Sequence, residues 1–598
     1  MDTIAIVDFG GQYAHLIANR IRRLGVYSEI IQNDVDAYAC REFKGIILSG
    51  SPFSVLAPNH PLLNPAILDL PIPVLGLCYG HQLMSAMLGG RVHKGNEREY
   101  GSADLKIFGC SGLFDGMDQT ERIWMSHGDS VAQVPEGFSI IASTDQCAVA
   151  AMSNESRKRY GLQFHPEVTH SPNGMKLLDN FISICACERT WNSKNYVTHI
   201  QEMVREKCAG KKVFLLVSGG VDSTVAFALL NKTLGPDRVK GLHIDNGLMR
   251  QGESADIISY MRREGFDNLT VVDASETFLS RLNGVADPES KRKIIGDTFI
   301  EVSLQEQARM GLNPDDWLLG QGTIYPDTIE SAGTKHADKI KTHHNRVDVV
   351  MELIRQGRVI EPLAQLYKDE VRDMGESLGL PHDLVWRHPF PGPGLGVRAL
   401  CSDGVSNPVD PALQQQLDEL CAVAGYKGMV LPIRSVGVQG DERSYAHPAL
   451  IVGDRNWQAL EDLSTRITNS IRGINRVVYA VGMKTLPVGY ALHQSYCTRE
   501  RLNELRAIDA MVTATLKEQN EYETVWQMPV VILPLVNISG RECIVLRPIS
   551  SQEAMTARFL PLHDNTIRQI VDNTEQILPG TDLFYDITHK PPGTIEWE

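Results

Sequence analysis

The strongest constraint on the fold is an apolar segment that runs directly into a glycine pair at residues 213–224, VFLLVSGGVDST. Glycine tolerates the backbone angles that let successive N–H groups turn toward one point, here those of Gly219, Gly220 and Val221. The stretch that follows, VDSTVAFALLNKTLG, has a helical pattern, and its N-terminus adds a positive dipole at the same point. A strand, a glycine turn and a helix in this order predict an α/β domain with a loop that grips pyrophosphate.

Polar side chains in the same loop offer further contacts to phosphate. Ser218, Ser223 and Thr224 can donate hydrogen bonds to phosphate, and Asp222 is well placed to hold Mg²⁺. The loop lacks the lysine that precedes the hydroxyl residue in the GxxxxGK[ST] loop of kinases and GTPases. It resembles instead the loop of the N-type ATP pyrophosphatases. This resemblance implies that ATP binds here with Mg²⁺, its β- and γ-phosphates held as a leaving group. An ordinary surface turn before a helix is the alternative.

The 598 residues exceed what one hydrophobic core supports, and we predict three domains, at 1–190, 191–400 and 401–598. The first two alternate short apolar runs with amphipathic stretches, which predicts two doubly wound parallel-sheet domains of the α/β class. The third is predicted as an α+β region with an internal repeat. MVLPIRSVGV, PALIVGD and RGINRVVYAV are echoed roughly 100 residues later by VVILPLVNIS, ECIVLRPIS and PGTDLFYDIT. We therefore expect two related ββαβ units, at about 425–500 and 525–598, with chance similarity as the alternative.

Composition narrows the class of protein. The formal charge of −15 argues against general nucleic-acid binding, although a local phosphate site remains compatible with it. Eleven cysteines are scattered without a paired framework, as expected in a reducing compartment. The N-terminus has no basic region typical of a signal peptide, and no apolar run approaches the roughly 20 residues of a membrane span. We expect a cytosolic protein with no membrane partner.

A cysteine on a sharp turn predicts a second reactive centre. Cys78 in GLCYGHQ follows the apolar run PVLGL and precedes the helical stretch HQLMSAMLGG, with Gly76 and Gly80 on either side. Small flanking residues allow a strand-to-helix elbow that lifts the sulfur clear of the sheet, and the helix N-terminus favours thiolate. GLQFHPEV supplies His165 as the base and Glu167 to orient it. A buried structural cysteine is the alternative.

Together, Cys78, the His-x-Glu pair and LSGSP resemble the pattern of class I glutamine amidotransferases. The resemblance implies glutamine as the substrate and backbone N–H groups of Tyr79 and of Gly50 as oxyanion donors. Two positions depart from the family pattern: Ser51 replaces a usual glycine, and His81 replaces a usual apolar residue. We expect Ser51 to adopt backbone angles that glycine adopts more easily.

Further strand ends extend the predicted ATP site. Asp245 in HIDNGLMR and Gly322 in GQGTIYPDTIES follow predicted strands, and ligands of parallel sheets lie at such carboxyl ends. IKTHHNRVD combines Lys341, His343 and His344. Adjacent histidines point apart in a helix or a strand, so a basic lid over phosphates is favoured over a metal site.

The last third carries signals for a second phosphate-bearing ligand. RHPFPGPGLGVR predicts a rigid loop that includes Gly392 and ends at Arg398, and SVGVQGDERSY offers Gln439 and Arg443 in a turn. The end of the chain, KPPGTIEWE, is restricted by two prolines and carries a tryptophan, which favours a tail that is tied down over a disordered one.

These segments in this order resemble the glutamine-hydrolysing GMP synthetase family over nearly the whole chain. The resemblance implies that ATP adenylylates xanthosine 5′-monophosphate (XMP) and that ammonia made at Cys78 displaces AMP. It assigns Lys590 and Glu596, with Arg443, to the xanthylate nucleotide. The further residues that we assign to XMP are Gln439, Ile595, Gly392 and Arg398.

The resemblance also bears on assembly and on rival functions. Bacterial-type members pair one copy of the repeat between subunits, so two copies in one chain favour a monomer with an internal pseudo-dimer, with a homodimer as the alternative.

Glutamine-dependent NAD synthetase shares SGGVDS but carries a nitrilase-type glutaminase. A non-enzymatic scaffold is a second rival, which the intact Cys78, His165, Glu167 and Asp222 disfavour.

Overall fold

The computed structural model describes residues 1–11, 13–108, 111–313, 315–327, 348–405, 409–439, 442–487, 489–551 and 557–598. The chain divides into two compact units. The first comprises Met1–Met203, Thr323–Gln356 and Glu361–Ser377, and the second comprises Val204–Gly322, Gly357–Ile360 and Leu378–Glu598. In the described part of the chain, no helix has the length and apolar character that crossing a membrane requires.

The strands are β1 (Thr3–Asp8), β2 (Tyr27–Gln32), β3 (Gly45–Leu48), β4 (Val74–Leu77), β5 (Arg91–Ile107), β6 (Thr120–Gln133), β7 (Ser139–Ser143), β8 (Ala151–Asn154), β9 (Arg159–Leu162), β10 (Lys212–Leu216), β11 (Val239–Asp245), β12 (Leu269–Asp273), β13 (Trp317–Gly320), β14 (Val359–Ile360), β15 (Ser402–Asp403), β16 (Lys427–Val430), β17 (Ser435–Gln439), β18 (Glu442–Val452), β19 (Ile474–Ala480), β20 (Ala491–Leu492), β21 (Gln494–Ser495), β22 (Val530–Val536), β23 (Glu542–Leu546), β24 (Ile549–Ser550), β25 (Arg558–Phe559) and β26 (Leu583–Asp586).

The helices are α1 (Ala14–Arg23), α2 (Tyr79–Met87), α3 (Gly174–Ile184), α4 (Ser193–Cys208), α5 (Val221–Leu234), α6 (Glu253–Arg263), α7 (Ser275–Leu282), α8 (Pro288–Arg309), α9 (Asp348–Arg355), α10 (Lys368–Ser377), α11 (His382–Val385), α12 (Pro411–Val423), α13 (Trp457–Ser470), α14 (Arg499–Glu518) and α15 (Asp564–Ile577).

The first unit is built on a nine-stranded sheet with the order β2-β1-β3-β4-β9-β8-β7-β5-β6. The five neighbouring strands β2, β1, β3, β4 and β9 are parallel, as the alternating sequence pattern predicts. Ile4 and Ile6 pack into one hydrophobic cluster and Ala5 and Val7 into another. Because alternate side chains of β1 enter different cores, both faces of this strand are covered and its sequence reads as one apolar run.

The other end of this sheet is antiparallel, a feature that the sequence reasoning did not predict. The long strands β5 and β6 form an antiparallel pair, and β7 and β8 join it to β9. The MSHGDSV segment at 125–131 lies within β6. The β5–β6 hairpin arm therefore brings that segment to the end of the sheet at which β4 and β9 also terminate.

The second unit begins with a five-stranded parallel sheet with the order β12-β11-β10-β13-β14. The chain leaves β10 through α5 toward β11 on one side, and β13 pairs with the other side of β10. The order of the strands thus reverses at β10. In open parallel sheets, ligands bind beyond the carboxyl end of the strand at which this reversal occurs.

The C-terminal sheet confirms the predicted repeat of two ββαβ units. In the first copy β16 pairs antiparallel with β18, which is followed by α13 and the parallel strand β19. In the second copy β22, β23, α15 and β26 follow the same course. The two copies meet where β19 and β26 pair antiparallel, with Tyr479 opposite Tyr585. The antiparallel contact of equivalent strands gives the sheet a pseudo-twofold axis.

A fully buried carboxylate ties the two copies and the tail together. Asp586 of β26 accepts a hydrogen bond from Arg476 of β19 at 2.8 Å and lies 2.7 Å from the Arg547 guanidinium, measured from Oδ1 to Nη1. The indole Nε1 of Trp597 donates to the same carboxylate at 3.0 Å. Burial alone raises the pKa of Asp586, but Arg547 and Arg476 outweigh burial and hold that pKa below its ordinary value. The tail is therefore tied down, as predicted.

We expect Asp586→Asn to destabilise the C-terminal sheet by about 3–5 kcal/mol, because the substitution leaves two arginines buried without their shared counter-charge. Hydrogen exchange of the β19 and β26 amides measures this locally. The matched control is Asp564→Asn, which removes an exposed partner of Arg455 at 2.7 Å and should cost under about 1 kcal/mol. Equal effects of the two substitutions would contradict the role given to Asp586.

Candidate active sites

Cys78 lies on the predicted elbow between β4 and α2. Its backbone φ of 50° is unusual for a residue other than glycine, and its N–H donates to the Leu162 carbonyl of β9 at 2.7 Å. The two glycines are required for steric reasons. A Cβ on Gly76 would lie 2.5 Å from the Gly80 carbonyl oxygen, and one on Gly80 would lie 2.3 Å from the Leu48 carbonyl oxygen. The elbow is therefore a strained turn held by close backbone packing.

The predicted base lies directly after β9, the parallel neighbour of β4. His165 Nδ1 and Glu167 Oε1 are 2.6 Å apart, and both side chains are buried. Although burial lowers the pKa of His165, the charges of Glu167 and Cys78, with hydrogen bonds to both, raise that pKa to about 10. The raised pKa favours the protonated ring of His165, which is paired with Glu167 through one ring nitrogen.

The backbone just after β3 comes close to both Cys78 and His165. A Cβ built on Gly50 would lie 3.2 Å from His165 Cε1 and 3.9 Å from the Cys78 Cβ. Tyr79 is the first residue of α2, and the first N–H groups of a helix have no partner within it. The roles of Gly50 and Tyr79 as oxyanion donors stay predictions, and this proximity supports them.

The two departures from the family pattern have structural explanations. Among the described residues, the positive-φ residues other than glycine do not include Ser51, so the expected glycine-like conformation of Ser51 was wrong. Its hydroxyl donates to the Phe9 carbonyl at 2.8 Å and holds the loop. His81 is fully buried, and burial with the neighbouring His127 charge lowers its pKa to about 3. A Cβ on Gly161 would lie 2.3 Å from His81 Nδ1, so the glycine makes room for a neutral ring.

The hairpin arm of β5 and β6 adds further groups close to Cys78. Gln82 Nε2 donates to the Asp129 carbonyl at 2.7 Å, which connects α2 to the MSHGDSV segment. Cys78 Sγ lies 3.6 Å from the Ser126 carbonyl oxygen and 3.8 Å from Gln163 Nε2. Gln163 was not predicted, although it stands two residues before His165 in the quoted segment GLQFHPEV.

The loop that was predicted to grip pyrophosphate has the predicted strand–turn–helix form at the carboxyl end of β10. Gly219 has a φ of +87°, and α5 begins at Val221. The hydroxyls of Ser218 and Ser223 are 3.1 Å apart, and Ser218 also accepts from the Gly220 N–H at 3.3 Å. Thr224 is buried in the first turn of the helix. Hydroxyls and N–H groups therefore converge at a helix N-terminus, an arrangement that favours an anion.

The neighbouring strand ends approach this loop. A Cβ on Gly322 would lie 2.9 Å from the Ser223 backbone nitrogen, so glycine allows the end of β13 to pack against the first turn of α5. Asp245, at the end of β11, accepts the Gly247 N–H at 2.9 Å and shapes the following turn. The assignment of Asp245 and Gly322 to ATP stays a prediction.

The loop predicted to bind the second nucleotide packs on the end of β11. Leu395 N–H donates to the Leu248 carbonyl at 2.8 Å, and Gly394 has a φ of +61° with no room for a Cβ beside that carbonyl. At the end of the same loop, Arg398 makes two hydrogen bonds of 3.1 Å with the carboxylate of Glu596 in the tail. The structure thus brings Arg398 and Glu596 together.

Backbone hydrogen bonds fix the positions of other residues assigned to XMP. The Ile595 carbonyl accepts from Arg547 at 3.0 Å, and Lys590 exchanges backbone hydrogen bonds with Ala557. Gln439 and Arg443 lie in the paired strands β17 and β18 and not in the predicted turn. This hairpin contacts the tail through the Val436 N–H, which donates to the Trp597 carbonyl at 3.0 Å. Gly392 lies in the loop before Leu395, and its contact with a nucleotide stays a prediction.

An arginine and an aromatic ring were missed by the sequence reasoning. The Phe390 ring lies 4.4 Å from the Arg250 guanidinium and 5.0 Å from that of Arg398. Asp509 of α14 is buried near both arginines, with Nη1 of Arg398 at 3.6 Å. Phe390 and Arg250 stand within quoted segments, but only their spatial proximity indicates a shared site.

Two further predictions concern a basic lid and a metal ion. Lys341, His343 and His344, the predicted lid, lie outside the described residues. In the described ranges, no three His, Cys, Asp or Glu side chains form a group that could hold a metal. Mg²⁺ commonly binds through one or two carboxylates together with substrate phosphates, so the single carboxylate of Asp222 in a phosphate-binding loop fits that ion.

Comparisons with known proteins agree with this architecture. The chain matches the families Glutamine amidotransferase class-I over residues 5–185, NAD synthase over 192–310 and GMP synthase C terminal domain over 415–488 and 514–597. The fold and these matches define a glutamine-dependent ligase, with an amidotransferase domain joined to a PP-loop ATP pyrophosphatase domain.

The relatives identify the family. The chain is 46% identical over 607 residues to a "Probable GMP synthase [glutamine-hydrolyzing]" of Leptospira interrogans serovar copenhageni, covering 100% of this chain and 99% of that protein. It is 44% identical to a GMP synthase of Clostridium perfringens, covering 81% of this chain and 98% of that protein. The chain belongs to the glutamine-hydrolysing GMP synthases. The predicted domain boundaries and the individual site residues stay predictions.

We expect Glu167→Gln to lower glutamine hydrolysis about 10²-fold and to move the alkaline loss of activity to lower pH. Glu167 raises the pKa of His165 to about 10, and the imidazolium is lost as the pH rises through that pKa. Without the carboxylate the pKa falls, so the proton is lost at lower pH. The pH profile of kcat/KM for glutamate release measures this.

The matched control is Glu155→Gln, which removes a carboxylate that accepts from the Tyr160 hydroxyl at 2.8 Å in the same unit. It should leave the pH profile unchanged. A Glu167→Gln profile that coincides with that of the unmodified protein would show that Glu167 does not set the protonation of His165.

Proposed function

We propose that this chain makes GMP from XMP, ATP and glutamine through an adenylyl-XMP intermediate. Glutamine and water give glutamate and ammonia at Cys78. XMP and ATP give adenylyl-XMP and pyrophosphate at the loop after β10. Ammonia then displaces AMP from the intermediate and gives GMP. The presence of a Cys–His–Glu site and a PP-loop in one chain carries this proposal.

In the first half-reaction the Cys78 sulfur attacks the amide carbon of glutamine. The protonated ring of His165 would protonate the departing nitrogen, and Glu167 would stabilise that ring. Backbone N–H groups of Gly50 and Tyr79 would stabilise the oxyanion. Water then attacks the thioester, with His165 taking the proton, and glutamate leaves.

In the second half-reaction the protein mainly positions phosphates and a purine oxygen. A purine carbonyl oxygen leaves poorly until it becomes part of a phosphate ester. Ser218, Ser223 and the N–H groups at the start of α5 would hold the β- and γ-phosphates as the leaving group. Asp222 would hold Mg²⁺, which supplies charge neutralisation of the phosphates when bound.

The XMP site would be formed by the proline-rich loop, the tail and the β17–β18 hairpin. Arg398 already makes two hydrogen bonds with Glu596, so the role of Arg398 would be to orient this carboxylate toward the purine ring of XMP. Lys590 and Arg443 would supply positive charge for the nucleotide phosphate. Each half-reaction then has a pocket of its own.

We expect Cys78→Ala to abolish glutamine-driven GMP formation and to leave the ammonium-driven reaction within about twofold of the unmodified protein. The reason is that only the first half-reaction needs the thiol. GMP and pyrophosphate are measured with XMP, ATP and either glutamine or ammonium. Omission of XMP should abolish pyrophosphate release with either nitrogen source.

The control for this experiment is Cys147→Ala, a buried cysteine of the same unit, which should retain both activities. Glutamine-driven synthesis that survives Cys78→Ala would remove Cys78 as the nucleophile. Pyrophosphate release that needs no XMP would overturn the assignment of the second substrate.

We also propose that the protein works as a monomer in the cytosol. The pairing of β19 with β26 joins two repeat copies within one chain, and shorter relatives cover 81% of it. An internal pseudo-dimer would satisfy the interface that single-copy relatives make between subunits.

Light scattering coupled to gel filtration of the nucleotide-free protein should give one chain mass, 66.3 kDa. The internal pairing already covers the strand that a second subunit would need. A stable species of twice this mass, unchanged on dilution, would contradict the monomer.

A further inference from the structure

Two cysteines outside both proposed active sites lie in contact in the second unit. Cys401 and Cys497 have their sulfur atoms 3.7 Å apart. They flank the short antiparallel pair of β15 and β21, in which Ser402 lies opposite Ser495. A disulfide needs about 2.05 Å between sulfurs, so oxidation has to draw these two sulfur atoms closer together.

The surroundings favour a reactive thiolate at Cys401. The buried Lys291 Nζ lies 3.6 Å from Cys401 Sγ and also donates to the Gly396 and Ala399 carbonyls at 3.0 Å. The hydrogen bond with Cys497, with the Lys291 and Arg501 charges, outweighs burial and lowers the pKa of Cys401 to about 6. Low-pKa thiols beside a cation are the ones that oxidants attack.

The two cysteines differ in accessibility. Cys401 is half-buried, whereas Cys497 is only 2% exposed. This difference favours Cys401 as the residue that a small oxidant reaches first, and the Cys497 sulfur lies 3.7 Å from the Cys401 sulfur. This is the arrangement of an attacking and a resolving cysteine.

We propose that Cys401 and Cys497 are a redox modification site, at which a hydroperoxide converts the pair to a disulfide. The Cys401 thiolate attacks one peroxide oxygen, so an S–O bond forms, the O–O bond breaks, and water or an alcohol leaves after protonation. The Cys497 sulfur then attacks the Cys401 sulfenic acid. The S–S bond forms, the S–O bond breaks, and the thiol proton leaves with the hydroxide as water. Two thiols are oxidised and one peroxide is reduced.

The site lies between the loop that carries the proposed XMP contact Arg398 and the start of α14. Cys401 follows the loop that ends at Arg398, and Cys497 directly precedes the Thr498 cap of α14. Asp509 of that helix lies 3.6 Å from Arg398. Lys291 also forms an ion pair with Glu598, the last residue of the chain. A disulfide would link the loop to the start of α14 and remove the thiolate charge beside Lys291.

The test is treatment of the full chain with hydrogen peroxide at pH 7, followed by alkylation and peptide mass spectrometry. We expect one cross-linked pair of peptides that contain Cys401 and Cys497, 2 Da lighter than the sum of the two, reversed by dithiothreitol. Before oxidation, iodoacetamide should label Cys401 at least about tenfold faster than Cys421, whose pKa burial raises to about 12.

Matched variants separate the two roles. Cys497→Ser should leave a sulfenic acid on Cys401 that dimedone traps, whereas Cys401→Ser should leave Cys497 reduced. Cys421→Ser should form the cross-link as the unmodified protein does. Oxidation of Cys401 without a cross-link in the unmodified protein, or no oxidation at either cysteine, would overturn the proposal. These outcomes rest on mass alone and do not depend on the proposed function.

Discussion

The buried carboxylate of Asp586 is the interaction on which the C-terminal architecture depends. A charge removed from water is costly unless it is paired, and here two arginines and an indole N–H surround it. Arg476 comes from the first repeat copy, Arg547 from the second, and Trp597 from the tail. Neither the repeat contact nor the tail can shift without exposing or orphaning this charge. The ion cluster therefore determines where the tail residues lie.

The two repeat copies are related by a pseudo-twofold axis, but they contribute different groups to the structure around the tail. Tyr479 of β19 pairs with Tyr585 of β26, but β26 carries Asp586 whereas its counterpart β19 has no acidic residue. The first copy thus lacks the carboxylate that holds a tail, but it supplies the β17–β18 hairpin on which the tail of the second copy lies. Two diverged copies in this way form one composite site.

The spacing of residues within short motifs predicted those parts of the structure that are formed by residues close together in sequence. Strand, glycine turn and helix around Gly219, and the elbow around Cys78, are each set within about ten residues by backbone sterics. The β5–β6 arm and the Arg398–Glu596 pair could not be predicted in this way. Arg398 and Glu596 are far apart in sequence, and only the completed sheet brings them together. Ser51 was mispredicted because its hydroxyl bonds, rather than a glycine-like backbone, hold the loop.

The two proposed reaction centres use the same structural device for different chemistry. Each lies where a parallel strand ends and a helix begins, because backbone N–H groups there are released from regular pairing. At Cys78 the neighbouring strand adds a buried imidazolium–carboxylate pair, so the site moves protons and stabilises a single developing charge. At the loop after β10 the neighbours are hydroxyls, a partly exposed carboxylate and close glycines, so the site accepts an extended anion. The side chains on the adjacent strand ends, and not the turn itself, therefore decide whether such a position cleaves an amide or holds a pyrophosphate.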